Sequence, residues 1–154
     1  MDKLIPWLVG IPIGGLILYI IYKIDQKSLT DQLDQYFGDR QPLSDDEFYI
    51  QYFEAQGIPK EIPVKVREIF REQFGADFSR INNTDDFSEG MNFIWGFDSM
   101  ADIEIIMAVE EEFDIKIEDE EAEKMISIQD IVVGVWNKKQ KPNQSIEAIV
   151  TTPV

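Results

Sequence analysis

The longest apolar run comes first. Leu4 to Tyr22 (LIPWLVGIPIGGLILYIIY) is nineteen positions without a charge. At ~1.5 Å per residue it makes ~28 Å of helix, close to the ~30 Å hydrocarbon thickness of a bilayer. Trp7, Tyr19 and Tyr22 stand towards its ends, where amphipathic rings settle at the interface. Only Met1-Asp2-Lys3 precedes the run and no small-x-small site follows it. The pattern therefore predicts an uncleaved single-pass anchor rather than a signal peptide. Pro12 predicts a kink, and Gly10 with Gly14 a place for close helix contact. Lys23 and Lys27 after the span, against Lys3 before it, favour a cytoplasmic carboxyl-terminal side.

Beyond the span the apolar positions fall at helical spacing. Ser28 to Phe37 carries Leu29, Leu33, Tyr36 and Phe37 on one side and is stopped by Gly38. It predicts a short amphipathic helix lying against the membrane or against the domain. Pro42 marks a boundary, and Ser44 with Glu47 forms a capping box opening a helix to Gln56, ended by Gly57. Pro63 at the first helical position opens the next helix, with Val66, Ile69, Phe70 and Phe74 facing the core and Gly75 as its stop. Ala76 to Gly96 is a long polar connection interrupted by Phe87, Met91, Phe93, Ile94 and Trp95. So many large apolar side chains predict a loop folded onto the core.

From Asp98 the pattern is helical again, with Ile103, Ile106, Val109 and Phe113 predicted to face inward. A turn at Asp114 to Ile117, a short helix over Asp119 to Met125 and a last helix from Ser127 or Asp130 through Trp136 complete it. The polar stretch after Asn137 reads as a tail. No alternating strand pattern of useful length exists, so the fold class is all-α. The division is an anchor over 1–23, a linker with a short helix over 24–43, a helical domain over 44–137 and a flexible tail over 138–154.

Composition narrows the chemistry. The 154 residues allow one compact domain plus appendages, and 44% hydrophobic content excludes disorder throughout. Cysteine and histidine are both absent. That excludes a disulfide, a Cys/His zinc site, a thiol nucleophile and an imidazole base. Thirty acids against fourteen bases leave a net charge of −16. Nucleic acid is therefore an unsuitable partner, and a protein with a basic patch a suitable one. Between Asp98 and Glu123 twelve acids face a single base, Lys116. Such crowding serves solubility or a basic partner surface. A calcium loop is not indicated: from Asp114 the alternate positions are Lys116 and Glu118, with no glycine at the sixth place.

The chemistry-bearing stretch is Trp95 to Glu123. Ser99 would open the helix that follows, where unpaired amides and the positive end of the macrodipole favour a phosphate. Asp98 before it would cap the helix or help to hold a metal during group transfer. The plainer reading makes Ser99 an N-cap with Asp102 at N3.

Gly96-Phe97-Asp98-Ser99-Met100 resembles the G-x-D-S-[LM] site of the acyl and peptidyl carrier protein family. The resemblance continues through Ile103-Glu104, Ala108, Glu110-Glu111-Glu112-Phe113, Ile117 and Asp119 to Glu123, with Glu72 to Gly75 matching the end of that family's first helix. It covers roughly Pro63 to Trp136. It implies an acyl-carrier-like four-helix bundle (carrier core about 63–137), which the apolar pattern places after one transmembrane helix and a short helical linker, neither of them part of the usual compact carrier.

It also implies that Ser99 carries covalent 4′-phosphopantetheine, with Asp98 assisting, and that the arm's thiol holds acyl or aminoacyl groups as thioesters. Such a protein has no catalytic residues and no resident metal. Met100, Glu104, Met107, Glu110 and Glu111 would form the face read by partners: a phosphopantetheinyl transferase, and acyl-transfer or synthase enzymes with basic docking patches. Ile103, Ile106, Val109 and Ile117 would shelter the acyl chain. Together with the span over 4–22, this predicts a carrier tethered to a bacterial-type cell membrane. Ala101, where fatty-acid carriers commonly have an acid, and Phe93-Ile94-Trp95 before the motif depart from the family pattern. The alternative is an acidic adaptor of the same fold without the prosthetic arm.

Overall fold

The computed structural model describes Tyr19 and residues 28–94 and 101–150, with side chains in the last stretch over 103–140. Every regular element among them is helical. In chain order these are α1 (residues 28–37), α2 (Asp45–Tyr52), α3 (Glu61–Phe74), α4 (Ala101–Phe113), α5 (Asp119–Ala122) and α6 (Ile128–Val150). Short 3₁₀ turns stand at Glu54–Gln56 and Asn92–Ile94. Helix α3 is central and packs against α2, α4 and α6. Among the described residues no helix is long and apolar enough to cross a membrane. Apart from Tyr19, which is helical and exposed, the predicted span over 4–22 lies outside them.

Local chemistry accounts for most boundaries. The Ser44 hydroxyl accepts from the Glu47 amide, and the Glu47 carboxylate accepts from the Ser44 amide at 2.9 Å. Gly57 and Gly75 stop their helices at φ +68° and +59°, a left-handed conformation open to glycine at little steric cost. Helix α3 starts two residues before the predicted place, at Glu61, with Pro63 as its third residue. The first-turn amides have no intrahelical acceptor, so proline fits there as well as at the first position. Ser127 rather than Asp130 caps α6: its hydroxyl accepts from the Asp130 amide at 3.2 Å.

Helix α6 corrects the predicted tail, since it continues past Asn137 and Pro142 to Val150. Two lysines of that polar stretch are anchored to the bundle. Lys138 pairs with Glu121 at 2.5 Å, and Lys139 donates to the Phe113 carbonyl at 3.3 Å, capping the end of α4.

Helix α1 settles against the domain. Leu29, Leu33 and Phe37 are buried in the common core, and the exposed face carries Asp31, Asp34 and Gln35. Arg67 of α3 ties α2 down in the same way. Its side chain is 1% exposed, its guanidinium lies over the Phe48 ring at 4.5 Å, and it donates to Asp45 and to the Leu43 carbonyl. Burial opposes the charge on Asp45, but hydrogen bonds from Arg71 and Arg67 outweigh it and hold the carboxyl below its usual range.

The long connection after α3 is folded inward as predicted as far as Ile94; Phe93 is half-buried, and Trp95 lies outside the described residues. Phe78, Ile81, Phe87, Met91 and Ile94 are each at most 2% exposed. Backbone bonds pin it at three places: Leu43 amide to Ser79 carbonyl, Phe87 amide to Ile126 carbonyl and Gln129 amide to Asn83 carbonyl, each 2.8 Å. At roughly 1.5–3 kcal/mol for each fully buried large side chain, this irregular segment contributes to the core on the scale of a helix.

Candidate functional site

Asp98, Ser99 and Met100 lie outside the described residues, and the described part of helix α4 runs from Ala101, two positions after Ser99 in the sequence. The helix presents two different faces. Ile105, Val109 and Phe113, four residues apart, are at most 7% exposed and pack into the core. Ile103 and Met107, also four apart, are 50% and 60% exposed. The sequence expectation that Ile103 faces inward is therefore corrected: Ile105 takes that place. In ADIEIIMAVEEEF apolar residues occupy both faces, so periodicity alone does not choose between the two registers.

Beside this helix lies an apolar groove of about 530 Å³. Phe70, Phe87, Ile105, Ile117 and Ile131 supply its buried floor, from α3, the long connection, α4, the α4–α5 turn and α6. Ile103 and Met107 stand at its exposed edge, with Asp119 and Glu123 of the α5 region at the polar rim. Of the residues predicted to shelter an acyl chain, Ile103, Ile106 and Ile117 line the groove. Val109 is instead fully buried in the core. The reading of the sequence missed Phe70, Phe87, Met125 and Ile131, which come from distant elements and carry no local signal.

Glu110 has a structural task in this groove. Its carboxylate accepts from the Ile117 amide at 2.7 Å and from the Lys116 ammonium at 3.0 Å. Those two interactions, the backbone bond first, hold its carboxyl below the usual range. The turn needs such a fastener, because Asp114 takes a positive φ of 50° to reverse the chain. The remaining predicted docking residues, Glu104, Met107 and Glu111, are exposed on one side of α4. With Gln73 of α3 they border a shallow surface hollow, and Glu110 reaches its edge.

The connection before the motif is held, as far as Ile94, from the other side. Asp85, 7% exposed, accepts from Arg40 at 2.6 Å, from the Tyr36 hydroxyl at 3.3 Å and from the Asn82 amide at 2.9 Å. The Tyr36 ring lies 6.0 Å from that of Phe93. Among the described residues no group of three or more acids forms a metal site.

Residues 64–132 match the family described as PP-binding, phosphopantetheine attachment site, and the matched stretch contains Ser99. A curated relative, an acyl carrier protein of Clostridium acetobutylicum, is 44% identical over 68 residues. Those residues are 44% of this chain and 83% of the relative.

Proposed function

The chain belongs to the acyl carrier protein family, and from that premise we propose that it is a membrane-tethered carrier loaded on Ser99. Membership makes it a carrier and not an enzyme, and makes its cofactor covalently attached 4′-phosphopantetheine. That group supplies the terminal thiol that a chain without cysteine lacks. The rest of the task falls to the protein's own residues. The proposed cargo is an acyl or aminoacyl group held as a thioester, and the proposed tether is the apolar segment over 4–22, with the carrier domain cytoplasmic at a bacterial-type cell membrane.

The observation that carries this reading is the groove beside α4, which fits the cargo side of a long flexible arm. Its floor is apolar and its volume is about 530 Å³, within the range of small-ligand sites. An acyl chain entering it gains ~0.8 kcal/mol for each methylene removed from water. Glu104 and Glu111 stand outside the groove and Met107 at its edge, all three exposed, and they suit a basic enzyme surface that must be recognised and then released. A tether raises the effective concentration of the cargo near a lipid or envelope acceptor.

The native protein tests the proposal. Purified from its host, it is expected in the membrane fraction, resistant to alkaline wash, with a phosphopantetheinyl adduct that stays on the chain while neutral hydroxylamine cleaves the thioester and releases the acyl group as its hydroxamate. Recovery as bare polypeptide would favour the unmodified acidic adaptor, and release by alkaline wash would remove the tether.

A further inference from the structure

We propose that α1 is a clamp positioning the approach to Ser99, and that Tyr36, Arg40 and Asp85 are its positioning residues. The inference rests on the carrier reading and joins α1 and Arg40, which precede the family match beginning at residue 64, to Asp85 and Gly90 inside it. Asp85 is a buried carboxylate in the long connection whose partners come from the N-terminal segment: Arg40 at 2.6 Å and Tyr36 at 3.3 Å. A buried charge so placed is costly unless α1 and residue 40 are docked, so docking and the shape of the connection form together. The Arg40 guanidinium also lies over the Tyr36 ring at 5.2 Å, making the three groups one unit.

From this unit the constraint runs along the chain towards the motif. Gly90 lies beneath Tyr36: a Cβ there would come within 3.0 Å of the hydroxyl and 3.2 Å of Cε2. Tyr36 contacts Phe93, and Met91 and Ile94 are buried at 0% and 1%. Ile94 is the last described residue before the motif, five positions from Ser99. A second set of contacts keeps α1 itself in place: Arg80 pairs with Asp34 and lies over the Phe37 ring at 5.3 Å. The connection is thus held, as far as Ile94, between the carrier bundle and α1.

A clamp of this kind sets the fraction of molecules that present the serine correctly. Breaking it therefore raises the apparent KM for the carrier and leaves kcat nearly unchanged. The full chain is incubated with coenzyme A and a phosphopantetheinyl transferase, and loading is followed by intact mass at several carrier concentrations. Arg40→Ala and Gly90→Ala are each expected to raise KM about five- to tenfold, while Arg40→Lys, which keeps the charge on Asp85, stays within about twofold of the parent. Ile69→Val, a loss of one core methylene outside the cluster, lowers Tm without moving KM.

An unchanged KM in both clamp variants overturns the clamp alone, as does an equal rise in Ile69→Val. No loading of the parent chain overturns the carrier reading and the clamp with it.

Discussion

Glu110 shows how one residue's task is decided by tertiary placement. In the sequence it is one of three consecutive glutamates and, with Glu111, is read as part of a docking face. In the fold its carboxylate accepts from the Ile117 amide and the Lys116 ammonium, and no local pattern announces either bond. Its folded-state pKa is depressed, so its stabilisation is present above the ordinary glutamate range and is lost as pH falls through the depressed value. At pH 7 Glu110→Gln is expected to lower Tm by ~2–4 °C, the size of a partly exposed charged hydrogen bond. Thermal melts of both proteins down an acid series check this. The gap should close as pH drops below about 4.5; a constant gap contradicts the assignment. The Ser44–Glu47 box was legible because both its bonds are local to one turn.

At the scale of elements, what the sequence revealed and what it hid divide along the same line. The existence of α1 follows from Leu29, Leu33 and Phe37 at helical spacing, but its partner does not, because membrane and core ask for the same apolar face. Burial of those three residues decides for the core. Leu33→Ala is therefore expected to cost ~2–4 kcal/mol in denaturant unfolding, as for a core leucine. A cost near zero would return α1 to the status of a linker. Helix α6 was cut short in the sequence reading because a lysine-rich run with a proline resembles a tail. Lys138 and Lys139 instead use their long stems to reach Glu121 and the end of α4. The groove was legible on its α4 side and at Ile117 of the following turn; Phe70, Phe87 and Ile131 reach it from three other segments.

The whole molecule combines a strongly acidic surface with a core that includes residues on both sides of the matched family region. The charge of −16 opposes compaction, and the concentration of acids from Asp98 to Glu123 places that repulsion next to the motif. A basic partner relieves it, so association with processing enzymes should be fast and sensitive to salt. The added helices α1 and α2 extend the bundle through Arg67 and Asp85, two buried charges that each find partners on another segment.

The central claim is that this assembly exists to carry one prosthetic arm on one hydroxyl. Intact-mass measurement of the full chain and of Ser99→Ala, each co-expressed with a phosphopantetheinyl transferase, tests it most directly. The account predicts a gain of one phosphopantetheinyl group in the parent and none in the variant. An unmodified parent, or a variant that still gains the group, would contradict it.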